Sequence, residues 1–215
     1  MKLYTYFRSS AAFRVRIALN LKNLEHDSLY VNLVEGGQRE PGYLGLNPQG
    51  LVPALEDGGK VYTQSLAIIE YLDERHPEPP LLPRDAGGRA RVRGLALAIA
   101  CDIHPLNNLR VLQYLEKTLA LNREQRLAWY RHWIAEGFAA LEHALADPQT
   151  GNFCHGSAPT LADIALVPQV FNAQRFGCEL SPYPRIRRIH EACLELPAFA
   201  QAAPANQADA EAVKS

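Results

Sequence analysis

The sequence predicts an α/β unit of βαβ–ββα order followed by an all-helical unit. Three observations carry this. Short β-prone runs alternate with apolar-periodic helical runs over the first 80 residues; Pro77-Glu78-Pro79-Pro80-Leu81-Leu82-Pro83 then breaks every periodicity; beyond it only long helical patterns recur. Pro-rich runs of this kind are semi-rigid spacers, which marks the segment as the domain boundary.

Lys2 to Tyr6 is the first strand, and it runs straight into a helical pattern through Phe13, Val15 and Leu19. Glu25 to Asn32 is the second strand, with Leu29 and Val31 alternating with polar neighbours. Gly36-Gly37 breaks the chain, and a loose Gly- and Pro-marked segment follows to Leu46. Val52-Pro53-Ala54-Leu55 and Lys60-Val61-Tyr62 flank Asp57-Gly58-Gly59 as the arms of a hairpin. Pro53 cannot donate to a ladder, so it belongs at a strand's first position. Gln64-Ser65 opens a helix whose Leu66, Ile68, Ile69 and Leu72 form an apolar face, and His76-Pro77 ends it. The expected domains are 1–80, a helical unit over 86–203, and a polar, Ala-rich tail over 204–215 that should be poorly ordered.

The helical patterns cover 86–120, 123–146, 160–175 and 183–195. Thr160-Leu161-Ala162-Asp163 before an apolar run is a capping box with Asp in place of Glu, a folding device. His104-Pro105-Leu106-Asn107-Asn108-Leu109-Arg110 puts a proline and polar side chains into an apolar pattern, which predicts a kinked helix bordering a cleft.

With 47% hydrophobic and 21% charged residues, the 215-residue chain can bury a large core, as a soluble globular protein does. A net charge of −1 with both signs dispersed leaves no global field for nucleic acid or an anionic membrane. The apolar runs are too short for a signal peptide or a bilayer span, so a cytoplasmic location is expected. Cys101, Cys154, Cys178 and Cys193 are widely spaced with no Cys-x-x-Cys pair, which points to free buried thiols and to neither disulfides nor a metal site.

The chemistry-bearing feature is Ser9-Ser10 where the first strand becomes a helix. Unpaired amides and the helix dipole favour an anion there, and a Ser hydroxyl can donate to a thiolate or phosphate; a plain N-cap is the alternative. Four blocks together resemble the zeta class of the cytosolic glutathione transferases: Tyr6-Phe7-Arg8-Ser9-Ser10 with Phe13-Arg14-Val15-Arg16-Ile17-Ala18-Leu19; Leu46-Asn47-Pro48-Gln49-Gly50 with Val52-Pro53; Gln64-Ser65 through Leu72; and Pro168-Gln169-Val170 through Arg175-Phe176. They span nearly the whole chain. One departure is clear: the class usually carries Ser-Ser-Cys-Ser-Trp, and here Ala11, Ala12 and Phe13 follow the Ser pair, so no protein Cys can contribute at that place.

The resemblance implies a thioredoxin-like domain with a mixed four-stranded sheet, a helical substrate domain and a homodimer. It implies glutathione as coenzyme and a small dicarboxylate as substrate, with maleylpyruvate converted to fumarylpyruvate and maleylacetoacetate as the near alternative. Ser9 or Ser10 would donate to the thiolate, with Ser9 favoured and Arg8 beside it. Gln64 and Ser65 would hold the γ-glutamyl carboxylate, Val52 would pair its backbone with the tripeptide ahead of a cis Pro53, and Gln38, Gln49, His104 and Asn108 would complete the polar contacts. Arg8, Arg110 and Arg175 would bind the substrate carboxylates, since the Arg fork suits carboxylate and stays charged. Arg14 and Arg16 are expected to be structural salt-bridge partners. Two rivals use the same fold: a detoxifying transferase acting on haloacids, and a non-catalytic binding module. Several cations near the thiol argue against the first, and the residues needed only for glutathione argue against the second.

Overall fold

The first unit is built on strand β1 (Lys2–Thr5), which a computed structural model describing residues 1–210 places inside a four-stranded sheet. β1 pairs in parallel with β2 (Asp27–Tyr30) and antiparallel with β3 (Ala54–Asp57), which pairs antiparallel with β4 (Lys60–Thr63), in the order β2-β1-β3-β4. Tyr4 faces Leu29 on one side and Ala54 on the other. β2 is shorter than the predicted 25–32, and Pro53 sits just ahead of β3, where a missing N–H costs no ladder bond.

Helix α1 (Ser10–Leu21) is buried without a break from Ala12 to Leu19 and packs against α3 (Ser65–Arg75), whose Ile68, Ile69 and Leu72 are wholly buried. Between them the segment expected to be loose contains a short helix, α2 (Pro41–Leu46), started by a proline at its first position. At the far end of α3 the buried Lys22 ammonium donates to Asp73 Oδ1 at 2.5 Å and to the carbonyls of His76 and Pro79 at 2.6 Å each. Asp73 also accepts from Leu81 N–H at 2.9 Å, so one ion pair organises the proline-rich connector.

The helical unit runs from Leu82 to Cys193. The expected 86–120 helix is instead four pieces. α4 (Ala86–Leu97) passes into a π turn (Ala98–Ile103), a 3₁₀ turn (His104–Asn107) and α5 (Leu109–Lys117). Pro105 has no N–H to continue an α ladder, and Asn108 starts a new helix by accepting from Arg110 N–H, so the kink is a full break. α6 (Arg123–Ala144) meets the π turn through Gly137, where a Cβ would collide with the Ile103 side chain. α7 (Leu161–Arg175) packs on α4, and α8 (Pro184–Leu194) closes the unit. No strand follows Thr63 among the described residues, and no described helix is long and apolar enough to cross a membrane.

The C-terminal part departs from the expected division. The chain from Leu194 groups with the first unit, where α9 (Pro197–Ala202) packs on α1 and Asn20 donates to Ala198 O at 3.0 Å. Of the expected tail over 204–215, residues 204–206 and 208–210 form 3₁₀ turns with Pro204 and Ala210 buried; residues 211–215 lie outside the described residues. Where polar, Ala-rich composition predicts poor order, residues 204–210 group with the first unit and bury Pro204 and Ala210.

At the start of α7, Asp163 is fully buried and accepts from Thr160 N–H at 2.8 Å, Thr160 Oγ1 at 2.7 Å and Cys154 N–H at 2.7 Å. Asp163→Ala orphans these buried donors at about 1–3 kcal/mol each, so urea unfolding should show a loss of at least about 3 kcal/mol; a loss below about 1 kcal/mol would remove the carboxylate from this role. His190 on α8 is buried, and burial holds its pKa below the usual 6.5. The unfolded chain then takes up a proton at higher pH than the folded one, so this stabilisation is present above pH 6.5 and is lost as pH falls through the folded pKa. Unfolding midpoints between pH 7 and pH 5 should fall more steeply for the parent than for His190→Gln, and equal slopes would refute the assignment.

Candidate active site

Ser9 is the N-cap of α1, with φ −71° and ψ 117°, and its Oγ accepts from Ala12 N–H at 3.2 Å. A hydroxyl that accepts in this way keeps its proton to donate elsewhere. Ser10, the first helical residue, is buried, and the N–H groups of the first turn form the positive end of the dipole. Arg8, just ahead, is exposed with its guanidinium 4.7 Å from the Phe7 ring centre.

A second helix start lies in the same unit. Ser65 is buried as the first residue of α3, and Gln64 ahead of it has φ 69° without capping through its side chain. For a non-glycine residue this left-handed conformation is strained, and such strain collects at functional sites. Ser65 Oγ accepts from Arg14 Nη1 at 3.3 Å, so its own proton is free for an acceptor at the helix start. Gln64 Nε2 donates to Gln49 Oε1 at 3.0 Å.

The Val52–Pro53 bond is cis, as the resemblance implied. Val52 is buried, and among the described residues its N–H and C=O take part in no hydrogen bond. A strand-like partner could use both. Gln38 lies in a 3₁₀ turn (Gly37–Arg39), and its buried Oε1 has no partner among the described residues. Gly50, at φ +59°, lies against this turn so closely that a Cβ would stand 2.9 Å from Gln38 O. The first unit can therefore take an anion at each of two helix starts and offer an extended backbone edge for a peptide.

In the helical unit, His104 opens the 3₁₀ turn and Asn108 caps α5, its Oδ1 accepting from Arg110 N–H at 3.2 Å and its Nδ2 lying 3.5 Å from His104 Nε2. Arg110 is exposed in the first turn of α5. Arg175 ends α7, exposed, 5.1 Å from the ring centre of Phe176, which stacks on Tyr130. His104, Asn108 and Arg110 thus share one corner, and Arg175 belongs to a different helix.

Two assignments change. Arg16 was expected to form a salt bridge, yet among the described residues no carboxylate stands within ion-pair contact of it. Only 3% exposed, it donates instead to Thr5 Oγ1 and Phe7 O at 3.1 Å, Tyr6 O at 3.4 Å and Ala202 O at 3.1 Å. Burial lowers its pKa to about 10, partly offset by Asp209, so it stays a cation at neutral pH. Cys101 is exposed where a buried thiol was expected. Sequence reasoning also missed Asp209, whose Oδ2 accepts from Phe7 N–H at 2.9 Å, and the contact of Arg14 with Ser65. The unbroken apolar run around Arg14 and Arg16 was the available signal that both are buried.

Burial pushes the thiols of Cys154, Cys178 and Cys193 up, so they hold their protons at neutral pH. No group of three or more His, Cys, Asp or Glu side chains among the described residues could hold a metal ion.

Residues 8–75 match the N-terminal domain family of glutathione S-transferase, and residues 128–192 match its C-terminal domain family. The chain is 52% identical to the maleylacetoacetate isomerase of Pseudomonas aeruginosa over 99% of this chain and 100% of that one. A solved holo structure of a maleylpyruvate isomerase, described as a bacterial zeta-class glutathione S-transferase, superposes with a TM-score of 0.96 at 51% identity, over 97% of this chain and 99% of that one. A maleylacetoacetate isomerase from Methylobacterium extorquens, solved with malonate and glutathione bound, gives a TM-score of 0.95 at 44% identity over 97% and 99%.

Proposed function

The chain belongs to the zeta class of the glutathione S-transferases, and from that premise we propose that it is a glutathione-dependent cis–trans isomerase of maleylpyruvate, with maleylacetoacetate as its neighbouring substrate. The observation that carries this reading is the pair of serines at two helix starts, each accepting from within the fold and keeping its proton for an outside anion.

Glutathione fits these residues. Its thiolate suits the start of α1, its γ-glutamyl carboxylate the start of α3, and its extended backbone the free edge of Val52; the orphaned Gln38 Oε1 answers one of its N–H groups. When bound, glutathione supplies the sulfur that adds to the cis double bond and leaves again once the resulting single bond has rotated. Ser9 donates to that sulfur, and the α1 dipole lowers its pKa, with Ser10 as the second donor. Gln64 and Ser65 hold the carboxylate, Gln49 steadies Gln64, and Pro53 presents the Val52 edge. Arg8, Arg110 and Arg175 bind the two carboxylates and neutralise the charge that develops on the keto oxygen. The reading places the enzyme in the cytoplasm as a homodimer.

Dialysed enzyme should isomerise neither maleylpyruvate nor maleylacetoacetate, and added glutathione should restore turnover of at least one. Isomerisation without glutathione would overturn the reading, and conjugation of haloacids in place of isomerisation would favour a detoxifying transferase. Ser9→Ala should raise the pKa of the bound thiol in an ultraviolet titration and lower turnover by about 10²–10³-fold, the range for loss of one preorganised donor. An unshifted titration would transfer the role to Ser10 or to the backbone amides at the start of α1.

A further inference from the structure

We propose that Asp209 is a positioning residue for the turn that carries Ser9, so that the segment returning from the helical unit completes the thiolate site of the first unit. The inference rests on the function proposed above. The turn from Tyr6 to Ser9 is held on two sides. Phe7 N–H donates to the Asp209 carboxylate at 2.9 Å, while Phe7 O accepts from Arg16 Nη2 at 3.1 Å. Tyr6 O accepts from Arg16 Nη1 at 3.4 Å and from Ser9 N–H at 3.0 Å, which places the backbone of Ser9 one hydrogen bond from the clamp.

The returning segment meets this clamp twice more. Arg16 Nε donates to Ala202 O at 3.1 Å, and Ala210 packs into a buried cluster with Tyr6, Phe7, Val31, Tyr43 and Val52, whose free backbone edge is one wall of the proposed cofactor site. Asp209 Oδ1 is also buried and accepts no hydrogen bond among the described residues. This carboxylate is therefore committed to one backbone N–H and to the field of Arg16. An N–H bound by a carboxylate is held about twice as strongly as by a neutral acceptor, so the Tyr6–Phe7 peptide, whose carbonyl also accepts from Ser9 N–H, has a fixed plane from which the Ser9 hydroxyl is aimed. A donor displaced by as little as 1 Å can cost about 10²-fold in rate.

The test compares Asp209→Ala, Asp209→Asn and Asp209→Glu with the parent, by ultraviolet titration of bound glutathione and by steady-state kinetics on maleylpyruvate. Asp209→Ala should raise the pKa of the bound thiol and lower kcat by about 10–100-fold while KM for the dicarboxylate stays unchanged. Asp209→Asn still offers an oxygen to Phe7 N–H and should recover most of the loss. Asp209→Glu keeps the charge but lengthens the arm, and should shift the titration even if Asp209→Ala does not fold. A parent-like titration and kcat in a folded Asp209→Ala or Asp209→Glu variant would overturn the inference and leave the proposed function standing. A parent that binds no glutathione would overturn the proposed function itself.

Discussion

The guanidinium of Arg16 is the tie on which the first unit depends. Burying a cation is costly unless its donors are satisfied, and here four oxygens replace its water: Thr5 Oγ1 at the end of β1, the carbonyls of Tyr6 and Phe7, and Ala202 O at the end of α9. One charge thereby joins a strand end, the approach to α1 and a helix from the other end of the chain. The planar fork matters, because three nitrogens reach separate oxygens at fixed angles; the point charge of a lysine could not span them.

Around that tie the two serines follow one rule. Ser9 accepts from Ala12 N–H, Ser65 accepts from Arg14, and each hydroxyl proton is left for a bound anion. A side chain that is already spoken for as an acceptor loses little further freedom when it donates, which is the preorganisation that anion binding in a low-dielectric site requires. The backbone shows the same commitment: Gln64 holds a positive φ and Gly50 a contact that no Cβ could share.

Much of this was legible in the sequence. β1, α1, the hairpin around Gly58 and α3 announced themselves by periodicity, and Ser9 and Ser65 by standing where helices begin. The short helices α2 and α9 did not, because six residues carry too little periodicity and are stabilised by what they pack on. Between α4 and α5 the sequence predicts a kink at Pro105 and the structure has a full break: the apolar pattern runs on through the π turn, and the signal for a new helix is Asn108 as its cap. Sequence alone makes Arg16 a salt-bridge partner, because helical arginines usually face water, and only the complete burial of residues 12–19 reverses that expectation. Asp209 left no local trace at all, since its partner lies 202 residues earlier.

That separation has a consequence for how the protein is made. The strands of the first unit are synthesised first, yet the bond that closes its Phe7 turn must wait until residue 209 has been added, after the whole helical unit. The entropy of closing so long a loop is modest, since each doubling of length adds only about 0.6 kcal/mol, but the delay is fixed by the order of translation. The nascent first unit therefore spends most of its synthesis with Arg16 lacking its bond to Ala202, and it is the element begun first that is finished last.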